Sequence, residues 1–131
     1  MMKKKKRIII ILLCIILFIL IGVSFGLKAL VNDVNSITVS NPDIANIADG
    51  IYVGEYSVTP VYVKVEVSVT EHKITNIKIV EHENGLGGKA EKIVDDVISR
   101  QSLEVDAVSG ATVSSKCIIK AIENALQIGD K

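Results

Sequence analysis

Tryptophan is absent from this 131-residue chain, and aromatic residues make up only 4% of it. Two of the five, Phe18 and Phe25, fall in one apolar run near the N-terminus, leaving Tyr52, Tyr56 and Tyr62 for the rest. So few rings leave little from which to build a deep stacking pocket. Cysteine is scarce too. Cys14 and Cys117 are far apart and the first lies inside the apolar run, which excludes a disulfide framework. Leu12 and Leu13 precede Cys14 where a lipid-attachment cysteine would follow small residues, so it reads as an apolar side chain. The only histidines, His72 and His82, come without the Cys/His/Asp spacing of a metal site. His72 reads as a turn residue, and His82 fits a site or a surface position equally. There is no Ser-His-acid order, no P-loop pattern and no internal repeat.

Acidic residues are missing from the first part of the chain. Met1 to Arg7 holds Lys3, Lys4, Lys5, Lys6 and Arg7 with no opposing charge, and Ile8 to Leu27 follows as 20 residues without any charge. A run of about 20 apolar residues matches the ~30 Å hydrocarbon core of a bilayer. A cleaved signal peptide would have a shorter apolar stretch and a small-residue cleavage site, and no clear A-x-A pattern precedes Lys28. The segment is therefore read as a retained anchor. The basic cluster before it stays cytoplasmic, which puts everything after Leu27 outside; contact with anionic lipid is its secondary role. Beyond Leu27, ten basic residues face 15 acidic ones, a net charge of −5. An acidic outer part excludes nucleic acid as a partner, because phosphate binding needs a basic face.

The coarse organisation is a cytoplasmic segment 1–7, a transmembrane helix 8–27, a stalk 28–48 and an extracytoplasmic domain 49–131. Lys28 to Asp49 is rich in Asn, Asp and Ser and lacks sustained periodicity. Gly50 to Ser57 reads as a first strand, interrupted at Pro60. Val61, Val63, Val65, Val67 and Val69 alternate with Tyr62, Lys64, Glu66, Ser68 and Thr70, the period-2 pattern of a strand with one buried face. Glu71-His72 falls at a tight turn, and Lys73 to Val80 completes a hairpin with Ile77 and Ile79 on one face. Glu81 to Lys89 is a glycine-rich loop. Ala90, Ile93, Val94, Val97 and Ile98 form the stripe of an amphipathic helix. Leu103 to Val105 reads as a short extended piece, and Val113, Cys117, Ile118, Ala121, Ile122, Ala125 and Leu126 mark a second helix. This order predicts an α+β domain, a small mainly antiparallel sheet with two helices packed on one face.

Ser109-Gly110-Ala111-Thr112 lies where the last helix begins. The first turn of a helix has free N–H groups and the positive end of the dipole, and so attracts phosphate. Gly110 permits a sharp turn or close approach of a ligand. Thr112, Ser114 and Ser115 place hydroxyls at the same turn. Ordinary helix capping, contributing about 1 kcal/mol, accounts for those hydroxyls without any ligand, and the residues alone leave both readings open.

Asp106-Ala-Val-Ser-Gly-Ala-Thr-Val-Ser-Ser115 closely resembles the attachment motif of the FMN-binding domain family, which includes the covalent-flavin subunits of sodium-pumping NADH:quinone reductases and Rnf-type complexes. The opening Asp49-Gly-Ile-Tyr-Val-Gly54 is similar to that family's start, and His82-Glu-Asn-Gly-Leu-Gly87 more loosely to its His-x-Glu-Thr-x-Gly loop. The likeness covers roughly Asp49 to Leu126. It departs at Glu71-His72, where an Asp-Gly or Asn-Gly turn is common, and at Ser114, where many members have threonine.

The resemblance implies FMN as cofactor, esterified through its phosphate to Thr112 by a flavin transferase that consumes FAD. It implies cofactor-binding roles for Ser109, Gly110, Ala111, Ser114 and Ser115, a recognition role for Asp106, and a lining role for Glu83, Gly85, Leu86 and Gly87. No residue is assigned to catalysis and none to a metal. The expected function is that of a membrane-anchored electron carrier, not a complete enzyme, placed between a membrane dehydrogenase, quinol or Rnf-like complex and an extracytoplasmic acceptor. The alternatives are a flavinylated accessory or sensor subunit of a larger membrane complex, and non-covalent FMN binding without turnover.

Overall fold

The computed structural model describes residues 1–83 and 88–130, without the side chains of 29–33. It divides into two compact units, Met1–Ser36 and Ile37–Lys131. The first is one helix, α1 (Met2–Asn35), whose Met2–Lys28 part has a mean hydropathy of 3.5 and is long and apolar enough to cross a membrane. Its isoleucines, leucines and phenylalanines are exposed on all sides, Phe18 at 81% and Phe25 at 78%. Such a surface suits lipid and not water. Ser24 spends its hydroxyl on the Leu20 carbonyl at 2.8 Å, so it leaves no unsatisfied donor in the apolar stretch.

The second unit is α+β. Its sheet has three antiparallel strands in sequence order, β1 (Gly50–Val58), β2 (Val61–Thr70) and β3 (Lys73–Glu83). Two helices, α2 (Ile93–Arg100) and α3 (Thr112–Gly129), cover one face. The valine alternation of β2 does what its period requires: Val61, Val63, Val65, Val67 and Val69 are all buried, and the residues between them face outward. These valines meet the apolar stripe of α3, where Cys117, Ile118, Ala121, Ile122, Ala125 and Leu126 are fully buried. Beneath β3, α2 contributes Ile93 and Val97. Burial also pushes the Cys117 thiol above its ordinary pKa.

β1 approaches α3 closely. A Cβ on Gly54 would collide with the Ala121 carbonyl and stand 2.5 Å from the Ala125 nitrogen. Glycine there lets strand and helix backbones touch, and Asn124 fixes the contact by donating to the Glu55 carbonyl at 2.9 Å. Glu123, 1% exposed on α3, has both carboxylate oxygens engaged, one by Lys120 at 2.8 Å and one by Gln127 at 2.9 Å.

β3 carries two bulges. Val69 faces Ile74 but Ser68 faces Asn76, and Val65 faces Ile79 but Lys64 faces Glu81, so Thr75 and Val80 are the extra residues. Each bulge changes the alternation. Ile74 and Ile77 thus share the core face, and His82, opposite buried Val63, turns inward with its side chain 2% exposed. Of the two places open to His82, a site or the surface, its side chain does not take the surface one.

Glu71 and His72 do form the β2–β3 turn, both with positive φ (52° and 57°). Such turns favour Asn-Gly because most side chains resist positive φ. Here Asp49 compensates, its carboxylate accepting from the backbone N–H of Glu71 at 2.9 Å and of His72 at 3.1 Å. The His72 ring adds a 2.9 Å hydrogen bond from Nδ1 to the Ile47 carbonyl. Those backbone donors, Glu71 first, hold the Asp49 carboxyl below its usual pKa. A depressed folded-state pKa gives stability that is full above the unfolded value of about 3.9 and is lost as pH falls through the folded one. The stability gap between wild type and Asp49→Asn should therefore be present near pH 6 and narrow as pH falls below the unfolded value of about 3.9 in paired thermal melts.

Two sequence expectations need correction. The stalk expected at 28–48 is not a single spacer: α1 continues to Asn35, and the compact unit begins at Ile37, well before Asp49. Ile37, Ile44 and Ile47 are buried, Ile47 bridges Asp130, and Lys120 donates to the Thr38 carbonyl at 2.9 Å. Nor is Leu103–Val105 a strand. The Leu103 N–H donates to the Asn41 side chain at 3.0 Å, and the Val105 N–H returns to the Leu103 carbonyl at 2.9 Å, a tight bend with no strand partner among the described residues.

Candidate functional site

Ser109, Gly110, Ala111 and Thr112 stay together at the start of α3, as their adjacency in sequence requires. Thr112 is the first helical residue, and the N-cap is Ala111, which makes no side-chain capping bond. Of the two readings open for the hydroxyls at this turn, N-capping does not apply to Thr112, which is exposed and stands one residue past the cap. With alanine at the cap, no N-cap side chain closes on the first N–H groups of α3, the donors that a helix leaves free at its start. No acidic residue lies in the first turn to oppose the dipole.

Ser115 does the structural work at this end. It is fully buried, its hydroxyl accepting from the Val108 N–H at 2.9 Å and donating to the Ala111 carbonyl at 2.7 Å. The Ala111 N–H in turn donates to the Val108 carbonyl at 2.9 Å. These bonds close the loop on itself and fix where Thr112 emerges. Ser114 is buried at 2% exposure, so of the three hydroxyls expected at this turn Thr112 is the one presented to solvent. Ser109 and Asp106 are exposed on the same loop. Asp106 and Lys116 also border a cavity of about 300 Å³ floored by Leu103 and Ile119.

Gly110 has φ of 75°, the left-handed region that favours glycine. A Cβ there would stand 2.8 Å from Lys89 Nζ and 3.4 Å from its Cε. Sequence reasoning missed Lys89, which lies far back in the chain at the end of the glycine-rich loop. Only the fold brings it here, through the 3-10 turn Gly88–Lys92 that packs on α3. His82 anchors that turn to the sheet by a 3.0 Å contact between Nδ1 and Glu91 Oε1. Glu83 is exposed at the end of β3, paired with Tyr62. Tyr62 donates to Glu55 at 2.9 Å, which raises its phenol pKa. Gly85, Leu86 and Gly87 lie outside the described residues.

Gly110→Ala should displace the Lys89 amine and strain the backbone, costing about 1 kcal/mol in stability. A thermal melt reads that cost directly.

The arrangement sets a helix N-terminus, an ammonium and a solvent-facing threonine hydroxyl around a loop locked by Ser115, a combination whose chemistry suits an anion. The FMN-binding domain family matches residues 59–127, more than half of the chain, from just before β2 to near the end of α3. No curated protein matches the chain.

Proposed function

This chain belongs to the FMN-binding domain family, and on that premise we propose that it is a membrane-anchored electron carrier with FMN esterified to Thr112. The observation that carries this reading is the exposed Thr112 side chain at the uncapped, acid-free N-terminus of α3. The residues present fit a phosphate: Gly110 leaves open the space that a Cβ would fill, and Lys89 borders that space. Ser109 and Gly110 would hold the phosphate through their backbone N–H groups, Ala111, whose N–H is spent on Val108, would flank it, and the buried Ser115 keeps the loop in place.

Thr112 Oγ1 would be the nucleophile of a phosphoryl transfer from FAD on a flavin transferase, its new bond to the FMN-side phosphorus replacing the pyrophosphate P–O bond, with AMP as the leaving group and the threonyl proton lost to solvent. Asp106, exposed six residues earlier on the same loop, is a recognition residue for that transferase. When bound, the flavin supplies the redox chemistry, and the protein supplies position and electrostatics. A phosphoester suits a domain facing away from the cytoplasm, because a soluble cofactor would be lost there.

The carrier reading places α1 across the membrane with the lysine cluster inside. Its test is reduction of the bound flavin by membranes of the host supplied with NADH or quinol, followed by visible absorbance. Bleaching within a turnover time supports a carrier. Failure to bleach on any timescale favours the accessory or sensor subunit.

A further inference from the structure

We propose that Lys89 is a positioning residue for the FMN phosphate, its ammonium supplying the counter-charge that the phosphoester on Thr112 takes up. The inference rests on Thr112 as the attachment residue and assigns a role to a side chain outside the attachment motif.

Three observations converge on it. Lys89 Nζ stands 2.8 Å from where a Cβ of Gly110 would be, so the amine lies over the loop two residues before Thr112. The turn that bears it is tied at both sides, by packing on α3 and by the His82–Glu91 contact. That contact also directs Glu91, the acidic residue of the same turn, toward His82. Among the described residues, the ion pairs are His82–Glu91 and Lys120–Glu123, and neither uses Lys89.

A phosphodiester carries one negative charge, and the charge-assisted bond from an ammonium is about twice as strong as a neutral one. Lys89 is exposed, so water and salt reduce that advantage. The helix N-terminus alone attracts the anion from one side. Lys89 adds a second direction and so fixes where the phosphate sits.

The test uses the full chain with a flavin transferase, as wild type, Lys89→Met, Lys89→Arg and the control Lys92→Met, Lys92 being exposed on the same turn. Uptake is followed by intact mass with transferase limiting, and the phosphodiester ³¹P resonance is recorded on fully loaded protein. Lys89→Met should take up flavin about fivefold more slowly at low salt, with the difference shrinking as salt rises. Its ³¹P line should move while that of Lys92→Met stays with wild type, and Lys89→Arg should recover most of the rate. Wild-type uptake and ³¹P position in Lys89→Met would overturn the assignment. Slow uptake with an unmoved ³¹P line would also overturn it, by making Lys89 a contact of the transferase and not of the phosphate. A wild-type chain that takes up no flavin would instead strike at Thr112 itself, and the Lys89 role would fall with it.

Discussion

Replacing Thr112 with valine should remove all covalently held flavin and leave the domain folded. Valine keeps the β-branched shape and loses only the hydroxyl. Thr112 is exposed at the first position of α3 and is not the cap, so the helix loses no capping bond. The stability change should lie within about 0.5 kcal/mol, the range of ordinary surface substitutions. In-gel fluorescence after denaturation should fall to background in Thr112→Val while the thermal midpoint stays near that of wild type. Thr112→Ser retains an oxygen at the same place and should keep a reduced level of flavin. Retained covalent flavin in the valine variant would move the attachment to another residue.

The second large effect concerns Gly54. A methyl group at this position meets backbone atoms of α3, the Ala121 carbonyl and the Ala125 nitrogen, which cannot turn aside as a side chain can. Gly54→Ala must push α3 off the sheet and open the contact between Val63, Val65 and Val67 and the helix stripe. Overpacking usually costs about 1–3 kcal/mol, and a backbone clash belongs at or above the upper end. A domain of this size loses about 4–8 °C per kcal/mol, so a fall of about 12–24 °C in Tm is expected. Gly129→Ala is the comparison. Its Cβ would crowd Tyr52 and Ile47, whose atoms lie 2.5 and 2.8 Å away but belong to side chains that can shift. Its melting temperature should fall by less. Equal losses in the two variants would contradict the account of the β1–α3 contact.

Most of the fold was legible because it rests on local periodicity. The alternating valines of β2 and the stripes of α2 and α3 each bury one face, and a period needs no tertiary information to be read. What escaped depends on contacts between distant residues. The segment 37–48 has isolated isoleucines among polar residues and no period, yet each isoleucine finds the core. The bulges at Thr75 and Val80 alter the register of β3, and only the register shows that His82 points inward. Gln101 adopts a left-handed conformation (φ 50°) that its sequence neighbours do not announce. Its amide spans the Ile74 N–H and carbonyl at 2.8 and 2.7 Å and also caps α2 on the Ile98 carbonyl at 2.7 Å. Leu103–Val105 has the composition of a strand, but the described sheet has no partner for it.

The candidate site divides in the same way. Ser109 to Ser115 are contiguous, so a motif could find them. The separate tasks of these residues could not be read from the motif: Thr112 is presented to solvent, Ser115 locks the loop and Ser114 is buried. Lys89 reaches Gly110 only through the fold. The site is thus partly a local feature and partly a consequence of packing the 3-10 turn on α3.

Intact mass of the full chain coexpressed with a flavin transferase, with peptide mapping, tests the central claim most directly. One FMN-sized mass increase is expected, carried by the peptide containing Thr112 and fluorescent after denaturation. An unmodified chain, produced beside a transferase that loads a control substrate, would contradict it.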